Sequence, residues 1–450
     1  MTGTPPSGAL RRELGLVTAA LLVVGGIIGS GIFFTPGEVA RALPSGEWIL
    51  LVWALGGVLA FAGALTYAEL GAMLPQAGGP YVYLQHGFGA LAAFLYGWMV
   101  LLSIATGALA AVAMGFAGYL SRFVDLAPIG GPLGTAALTI GVMAVINYLG
   151  VKPGAMVQNI FTVAKIAALG ALIVLGFVLW AKLGTPPPVA NAPAPRASLL
   201  SGFAAAFTAV LFTIGGWQQM NMVAGEIKDP ARTIPRALAI GIGIVVAIYL
   251  GANAVYLRAL GRDGLAASSA VAADAASRMI GPVGATFISI AAMLSVLGFV
   301  NVVLLANSRI IYAMAVEGLF FDAAGRVHRR FGSPHVAIGI MTLWALLLLA
   351  FTRGDLGALL SGVVFADWIF FGLGAATVFA LRKKMPDAPR PYRVLGYPWM
   401  PAFFVAAAVV GILSAIVSSP RTSALGALQL GAGVIAFYWF RSRAVTASRG

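Results

Sequence analysis

Long apolar runs are the feature that most limits what this chain can fold into. A membrane-spanning helix needs roughly 20 mostly apolar residues, and about twelve runs of this order follow one another along the 450 residues. They are Leu14–Ala40, Glu47–Met73, Ala90–Phe123, Leu133–Leu149, Ala155–Ala181, Leu199–Gly225, Ala237–Leu260, Gly281–Ala315, Val336–Phe351, Leu356–Leu381, Met400–Ser418 and Ala424–Phe440. Charged residues make up only 9% of the chain, against roughly 25% in soluble domains. The sequence therefore predicts an all-α polytopic membrane protein and excludes a soluble globular, disordered or disulfide-stapled chain.

The basic residues predict how the spans are oriented. With the N-terminus inside, 17 of the 28 Lys and Arg residues fall in inside loops and 9 at outside ends. Because cytoplasmic loops carry the excess of positive charge, we expect an integral, multi-pass protein of the cell (cytoplasmic) membrane with both termini in the cytoplasm. The net charge of +14 is then an orientation signal, and we expect no nucleic-acid partner.

Three connecting segments have a predictable character. Leu74–Gly89 is too aromatic for a plain solvated loop, so we expect a short re-entrant or interfacial helix there. Gly261–Ile280 is rich in alanine and is expected to be helical on the outside. Thr185–Arg196 is rich in proline and alanine and is expected to be an extended outside loop.

Two spans carry interruptions. Span 1 reads VVGGIIGSGIFFTP, and each glycine inside a helix costs about 1 kcal/mol relative to alanine. Helix packing is an alternative explanation, since Gly25 and Gly29 form a GxxxG step. Span 6 reads FTIGGWQQMNMVAGEI, where polar side chains stand next to a glycine pair, which is not typical of a packing helix. Two interrupted spans, five spans apart, predict an inverted repeat with a binding site between the breaks.

The backbone groups freed at two such breaks suit a zwitterion. N–H groups at the start of a half-helix bind a carboxylate, and carbonyls freed at the end of a half-helix bind an ammonium group. The donors would lie around Ser30, Gly31 and Ile32, and the carbonyls near Ile27, Ile28, Phe212, Thr213 and Ile214. An amino acid carries both groups, and no charged side chain lies within a turn of either break, so a neutral amino acid is favoured.

The same residues resemble a known family. VVGGIIGSGIF, and YAELGAMLPQAGGPYVYL at Tyr67–Leu84, resemble the amino acid–polyamine–organocation superfamily of transporters. Four further segments resemble its L-type amino acid transporter group and the bacterial relatives of that group. They are GGWQQMNMVAGEIKDPARTIPRAL at Gly215–Leu238, ANSRIIYAMAVEGL at Ala306–Leu319, DWIFFGL and RPYRVLGYPW. The resemblance covers nearly the whole chain in order.

This resemblance implies a fold and a site. The fold would be one transmembrane transporter domain over 1–450, with a LeuT-type five-plus-five inverted repeat (about 14–183 and 199–382) and two extra helices at about 398–442. The break at Gly29–Gly31 would bind the carboxylate and amino group of the substrate, with Gly215 among the substrate-binding residues, and Phe212 would be a gate. Where Ile214 stands the L-type group usually has an aromatic residue, so the pocket differs in shape.

Lys165 lies deep in span 5, about thirteen residues and roughly 20 Å beyond Lys152. A lysine at that depth needs acceptors, and the carbonyls freed around Gly25 and Gly26 are the nearest ones. The resemblance implies that its ammonium replaces the ion held by sodium-coupled relatives. We therefore predict sodium-independent transport, with a purely structural ion pair as the alternative. Transport would be proton-coupled if the lysine also loses its proton during the cycle.

Three other ionisable residues lie in or near the spans. Glu69, near the cytoplasmic end of span 2, is interpreted as structural. Arg309 is expected to snorkel or to pair with polar neighbours. Asp367, in the middle of span 10, is either a hydrogen-bonded structural acid or a proton carrier, and we favour the first.

The combined interpretation is a secondary active transporter of neutral L-amino acids that works by alternating access, as a proton symporter or an exchanger. A polyamine or organic-cation transporter is the alternative, and it would need acids at the site, for which Asp367 and Glu69 are the only candidates. A channel would need a polar pore lining, and the spans carry only isolated polar residues.

An intramembrane enzyme is disfavoured, because no catalytic cluster or motif occurs in the sequence. We expect no cofactor and no metal. The chain has no cysteine, so we also expect no disulfide-linked partner subunit, and a protein that works alone in the lipid bilayer as a monomer or weak homo-oligomer.

Overall fold

The chain folds into helices joined by short connections. The computed structural model describes residues 10–190, 193–195, 198–355, 359, 363–418 and 420–447. Its α-helices, labelled in chain order, are α1 (Leu16–Ile27), α2 (Gly31–Ala42), α3 (Gly46–Met73), α4 (Pro80–Phe88), α5 (Ala90–Met99), α6 (Ala105–Leu120), α7 (Gly131–Tyr148), α8 (Val151–Val178), α9 (Leu199–Thr213), α10 (Gln219–Met222), α11 (Pro230–Ala267), α12 (Val271–Ile280), α13 (Pro282–Val316), α14 (His335–Thr352), α15 (Val363–Lys384), α16 (Trp399–Ser418) and α17 (Pro420–Ala447). Within these ranges the extended pairing consists of one bridge between Leu14 and Ile227. The all-α prediction is confirmed.

The membrane-length helices correspond to the predicted runs. Among the described residues, ten helices are long and apolar enough to cross a membrane, with α5 and α6 counted as one. The pair α1 and α2, bent by 41°, makes an eleventh when it is counted as one span. The remaining run is α9, an apolar helix of 15 residues, which continues past a break into α10. The ends differ from the prediction in places: α11 begins at Pro230 rather than Ala237, because proline is tolerated in the first turn of a helix.

The predicted interruptions of spans 1 and 6 are present. The span 1 break (residues 28–30) separates α1 from α2, and the span 6 break (residues 214–218) separates α9 from α10. Gly216 has a φ of +103°, in the left-handed region that favours glycine. α2 packs along α9, while α1 contacts α10, so the second half of each span lies beside the first half of the other. An inverted repeat needs that pairing.

Four long helices surround the two breaks. α11 packs against α1, α2 and α3, while α8 packs against α1, α11 and α13. α13 has the most deeply buried span, with 72% of its apolar window inside the protein. The breaks therefore lie in the interior of the bundle, where freed backbone groups must find partners in the protein or in a cavity.

One side of the two breaks is closed by backbone pairing and a buried ion pair. The N–H groups of Glu13 and Leu14 donate to the carbonyl of Glu226, at 2.8 and 2.9 Å, and Lys228 N–H donates to the carbonyl of Leu14 at 2.8 Å. Arg309 donates to both carboxylate oxygens of Glu226, at 2.7 and 3.1 Å, and neither side chain is exposed. The prediction that Arg309 pairs with polar neighbours is confirmed.

Glu69 is a structural acid, as predicted. Its carboxylate accepts two hydrogen bonds from Arg382, at 3.0 and 2.7 Å, and one from the N–H of Val394 at 2.7 Å. The helix expected within Leu74–Gly89 is α4, and the helical prediction for Gly261–Ile280 is met by the end of α11 and by α12. In the described part of Thr185–Arg196 the chain forms no helix.

Candidate functional site

A cavity of about 560 Å³ lies where spans 1 and 6 are broken, a size in the usual range for small-molecule sites. Both breaks, together with α5, α6, α13 and α15, supply its walls. Among its lining residues are Gly26, Ile27, Gly29, Ser30, Gly31, Tyr96, Arg122, Phe212, Thr213, Gly215, Gly216, Gln218, Val363, Asp367, Trp368 and Phe371. The wall reaches Arg122, an exposed residue just beyond the end of α6, so the cavity extends away from the closed Glu226 side.

At the span 1 break the helical hydrogen-bond pattern stops and restarts. Ile28 N–H still donates to the carbonyl of Val24, at 2.8 Å, and Gly29 N–H donates to that of Ile27. The pattern resumes where Phe33 N–H donates to Ser30 at 3.1 Å. The first N–H groups of α2 have no intrahelical acceptor, and they lie where Ser30 and Gly31 line the cavity. This is the donor arrangement that a carboxylate needs.

The span 6 break is built on a close approach of two glycines. A Cβ on Gly26 would lie 2.7 Å from the carbonyl oxygen of Gly216, and a Cβ on Gly216 would overlap the carbonyl oxygen of Gly26. Gly216 N–H donates to Oε1 of Gln218 at 3.0 Å. The glycine pairs that the sequence singled out therefore let the two breaks touch.

Gly31 is also at a close approach. A Cβ on Gly31 would lie 2.5 Å from Cγ2 of Thr213, and the Thr213 hydroxyl donates to Oγ1 of Thr35 at 2.8 Å. Any side chain at position 31 would press on span 6 as well as on the cavity.

Phe212 stands in the cavity wall with 54% of its surface exposed. An aromatic side chain that is buried only in part, next to a break in its own helix, has room to change its orientation. This is the position that sequence reasoning assigned to a gate.

Lys165 is fully buried and is held by carbonyl oxygens. Its Nζ donates to the carbonyls of Ile28 at 2.5 Å, Ser295 at 3.2 Å and Gly25 at 3.5 Å. Two of these carbonyls lie near the end of α1 (Gly25) and in the span 1 break (Ile28), and Gly25 is among the acceptors predicted from the sequence. All three acceptors are backbone carbonyls. Among the described residues Lys165 makes no ion pair, which was the alternative interpretation.

The ten predicted substrate-binding residues divide into two groups. Those in the cavity wall are Ile27, Gly29, Ser30, Gly31, Phe212, Thr213 and Gly215. Those outside it are Ile28, Ile32 and Ile214, and each of these side chains is at most 3% exposed. The carbonyl of Ile28 is directed to Lys165 and Ser295, so it braces the break.

Two bracing residues were missed by sequence reasoning. The hydroxyl of Tyr249 lies 3.2 Å from the carbonyl of Ile27 and 3.3 Å from that of Thr213, and therefore joins the ends of α1 and α9. The hydroxyl of Ser295 lies 3.0 and 2.9 Å from the carbonyls of Ile28 and Gly29. A single tyrosine or serine in an apolar span gives no signal that could have identified either one.

Asp367 also lies in the cavity wall. Helical spacing places Val363, Asp367 and Phe371 on one face of α15, and all three line the cavity. The expectation of a hydrogen-bonded structural acid is wrong, because the carboxylate has no hydrogen bond or ion pair anywhere in the described ranges.

Comparison with known proteins gives a consistent result. The sequence profile of the amino acid permease family matches residues 14–436. The large neutral amino acids transporter small subunit 2 of Mus musculus is 35% identical over 394 residues, which cover 86% of this chain and 73% of that protein. The serine/threonine exchanger SteT of Bacillus subtilis is 32% identical over 439 residues (96% and 98%). The cystine/glutamate transporter of Homo sapiens is 32% identical over 435 residues (96% and 85%).

Proposed function

This chain belongs to the amino acid permease family, and on that basis we propose that it is a secondary active transporter of neutral L-amino acids that works by alternating access without sodium. The observation that carries the proposal is the meeting of two broken helices at one cavity. Discontinuous helices that face each other in mid-membrane are the usual binding site of such transporters.

The backbone groups of an amino acid match the groups at the breaks. The start of α2 offers N–H donors and the positive end of a helix to the carboxylate. The end of α9, which packs beside α2, offers the carbonyl oxygens of Phe212 and Thr213 to the amino group. A neutral side chain is supported by the absence of charged residues at the breaks themselves. It is also supported by the name of the mouse relative, which refers to large neutral amino acids.

Sodium independence is supported by the surroundings of Lys165. A sodium site would need several oxygen ligands at this place. The carbonyls of Gly25, Ile28 and Ser295 instead receive hydrogen bonds from a lysine ammonium. We propose that this ammonium replaces a bound cation by joining span 5 to span 1. We also propose that substrate transport is coupled to the exchange of a second amino acid or to protons.

The open and closed sides of the cavity support alternating access. The cavity extends toward the exposed Arg122, whereas the other side is closed by the Arg309–Glu226 pair. With both termini in the cytoplasm, as the basic residues favour, this arrangement is open to the outside. We further propose the repeat boundaries at about 14–183 and 199–382, the extra helices at about 398–442, and a protein that works without a disulfide-linked partner in the cell membrane.

Reconstitution tests the proposal directly. Purified protein in liposomes would be given labelled L-leucine, L-serine and L-alanine, in sodium and in choline buffer, with empty or amino-acid-loaded vesicles. We expect saturable uptake that is equal in both buffers, and faster uptake into loaded vesicles if the protein exchanges. Strict sodium dependence, or no uptake of any neutral amino acid, would overturn the proposal.

A further inference from the structure

Asp367 differs from the other acids inside the helical bundle. Glu69 is held by Arg382, and Glu226 is held by Arg309. Asp367 has neither an ion pair nor a hydrogen bond in the ranges described, yet it lies on the same face of α15 as two other cavity-lining residues. The Asp367 side chain is only partly buried and lines the cavity, so its carboxylate is available to pair with a cationic group of a bound ligand.

The surroundings of Asp367 suit an organic cation with an apolar stem. Tyr96, Trp368 and Phe371 line the same cavity, and aromatic faces attract an ammonium or guanidinium group. Arg122 is the other charged residue of the wall, and its guanidinium lies 5.5 Å from the ring centre of Tyr119. It is exposed, and it makes no ion pair with Asp367 in the described structure.

From this geometry we propose that Asp367 forms a side-chain subsite that admits amino acids with a cationic side chain, such as L-arginine and L-lysine, besides the neutral ones. This inference rests on the proposed function, because the breaks would hold the backbone groups of the substrate. The side chain would then extend along the aromatic wall, and its terminal cation would bind the carboxylate. A neutral substrate leaves that contact unused.

The test compares two substrates in the same vesicles. Uptake of labelled L-arginine and L-leucine would be measured for the wild type, D367N, D367E and the control E47Q. Glu47 is an exposed acid in the first turn of α3, outside the cavity, so E47Q removes the same charge without touching the wall. We expect wild-type uptake of both substrates, and a fall in the arginine-to-leucine ratio of at least about tenfold in D367N but not in E47Q, since an unmet buried charge strongly penalises binding.

Substrates with side chains of different length show whether Asp367 recognises the substrate or has only a structural role. D367E keeps the charge but moves it one methylene further into the cavity, so we expect a shift in preference from L-arginine and L-lysine toward the shorter L-ornithine. Ligand-induced changes in thermal unfolding of the detergent-solubilised protein give the same ranking if a variant reconstitutes poorly.

The failures of the two proposals can be told apart. Wild-type uptake of leucine without uptake or binding of any cationic amino acid overturns the subsite alone. An unchanged arginine-to-leucine ratio in D367N, or equal losses of both substrates, does the same. If arginine were carried but no neutral amino acid, the neutral assignment would fail and the subsite would stand. If the wild type carries neither, both proposals fall.

Discussion

The breaks in spans 1 and 6 face one cavity but are held in different ways. The carbonyls at the span 1 break receive hydrogen bonds from three other helices, through Lys165 of α8, Tyr249 of α11 and Ser295 of α13. Each donor is fully or almost fully buried. Span 1 is therefore fixed from several directions.

The span 6 break depends more on its own segment. Gly216 donates to Gln218 two residues further along, and the shared hydroxyl of Tyr249 is the contact that joins the end of α9 to α11 and α1. Phe212 beside it is half exposed. From this difference we expect that span 1 supplies a rigid site for the proposed substrate, and that span 6 is the part that rearranges when the cavity closes.

The largest expected effect is on the bracing of span 1. Lys165→Ala leaves the carbonyls of Gly25 and Ile28 without their donor in the interior, so we expect almost no uptake of any amino acid in the liposome assay. Lys152→Ala is the matched control on the same helix, because Lys152 is 70% exposed in a surface ion pair with Glu13 that contributes at most about 1 kcal/mol. Full uptake by Lys165→Ala would contradict the rigid role of span 1.

The next largest effect is expected when a side chain is added at Gly31, which lines the cavity and packs against Thr213. Gly31→Val is expected to abolish substrate binding, but the new side chain would also press on Thr213, so loss of binding could come from either contact. Gly31→Ala alone and combined with Thr213→Ser separates the two, because serine lacks the methyl group that a Cβ would meet. If the double variant folds like the wild type but binds no substrate in a thermal-shift assay, the carboxylate assignment holds. Restored wild-type affinity would contradict it.

A smaller effect is expected at the movable span. Phe212→Ala should leave a slow or leaky transporter, with exchange reduced several-fold, because the occluded state loses an apolar lid. Leu200→Ala, on the same helix but 81% exposed, is the control. Unchanged initial rates and unchanged leak of preloaded substrate in Phe212→Ala would mean that the ring only packs.

The smallest effect is expected where the two spans are joined. Tyr249→Phe removes the hydroxyl that lies between the carbonyls of Ile27 and Thr213, so we expect a loss of about 1 kcal/mol in stability and a few-fold change in uptake. Tyr256→Phe is a matched control, because Tyr256 is buried on the same helix and its hydroxyl has no partner in the described chain. Equal thermal stability of the two variants would show that the bridge contributes nothing.

Much of this architecture could be predicted because the bilayer allows few solutions. A chain in lipid must satisfy its backbone internally, so each apolar run becomes a helix. Glycine clusters then mark where a helix fails, as in spans 1 and 6. The same reasoning placed Lys165 near freed carbonyls, since a buried ammonium has few other options.

Two features of the site do not follow from the sequence in this way. Ile32 and Ile214 adjoin the motifs in sequence, but both side chains are buried in the protein and neither residue lines the cavity. Asp367 was expected to be satisfied by a neighbour, because most buried acids are. Its spacing from Val363 and Phe371 fixed a helical face, but nothing in the sequence indicated that this face borders the cavity.

The sequence by itself therefore determined the helical class, the membrane crossings and the two breaks, because these follow from local hydropathy and backbone propensity. Only the tertiary structure decided which donors brace the breaks and which side chains face the cavity. Lys165 and its nearest acceptor, the carbonyl of Ile28, are 137 residues apart. The physical reason is that apolar residues in a membrane protein face lipid and protein alike, so periodicity does not show which face of a span is buried.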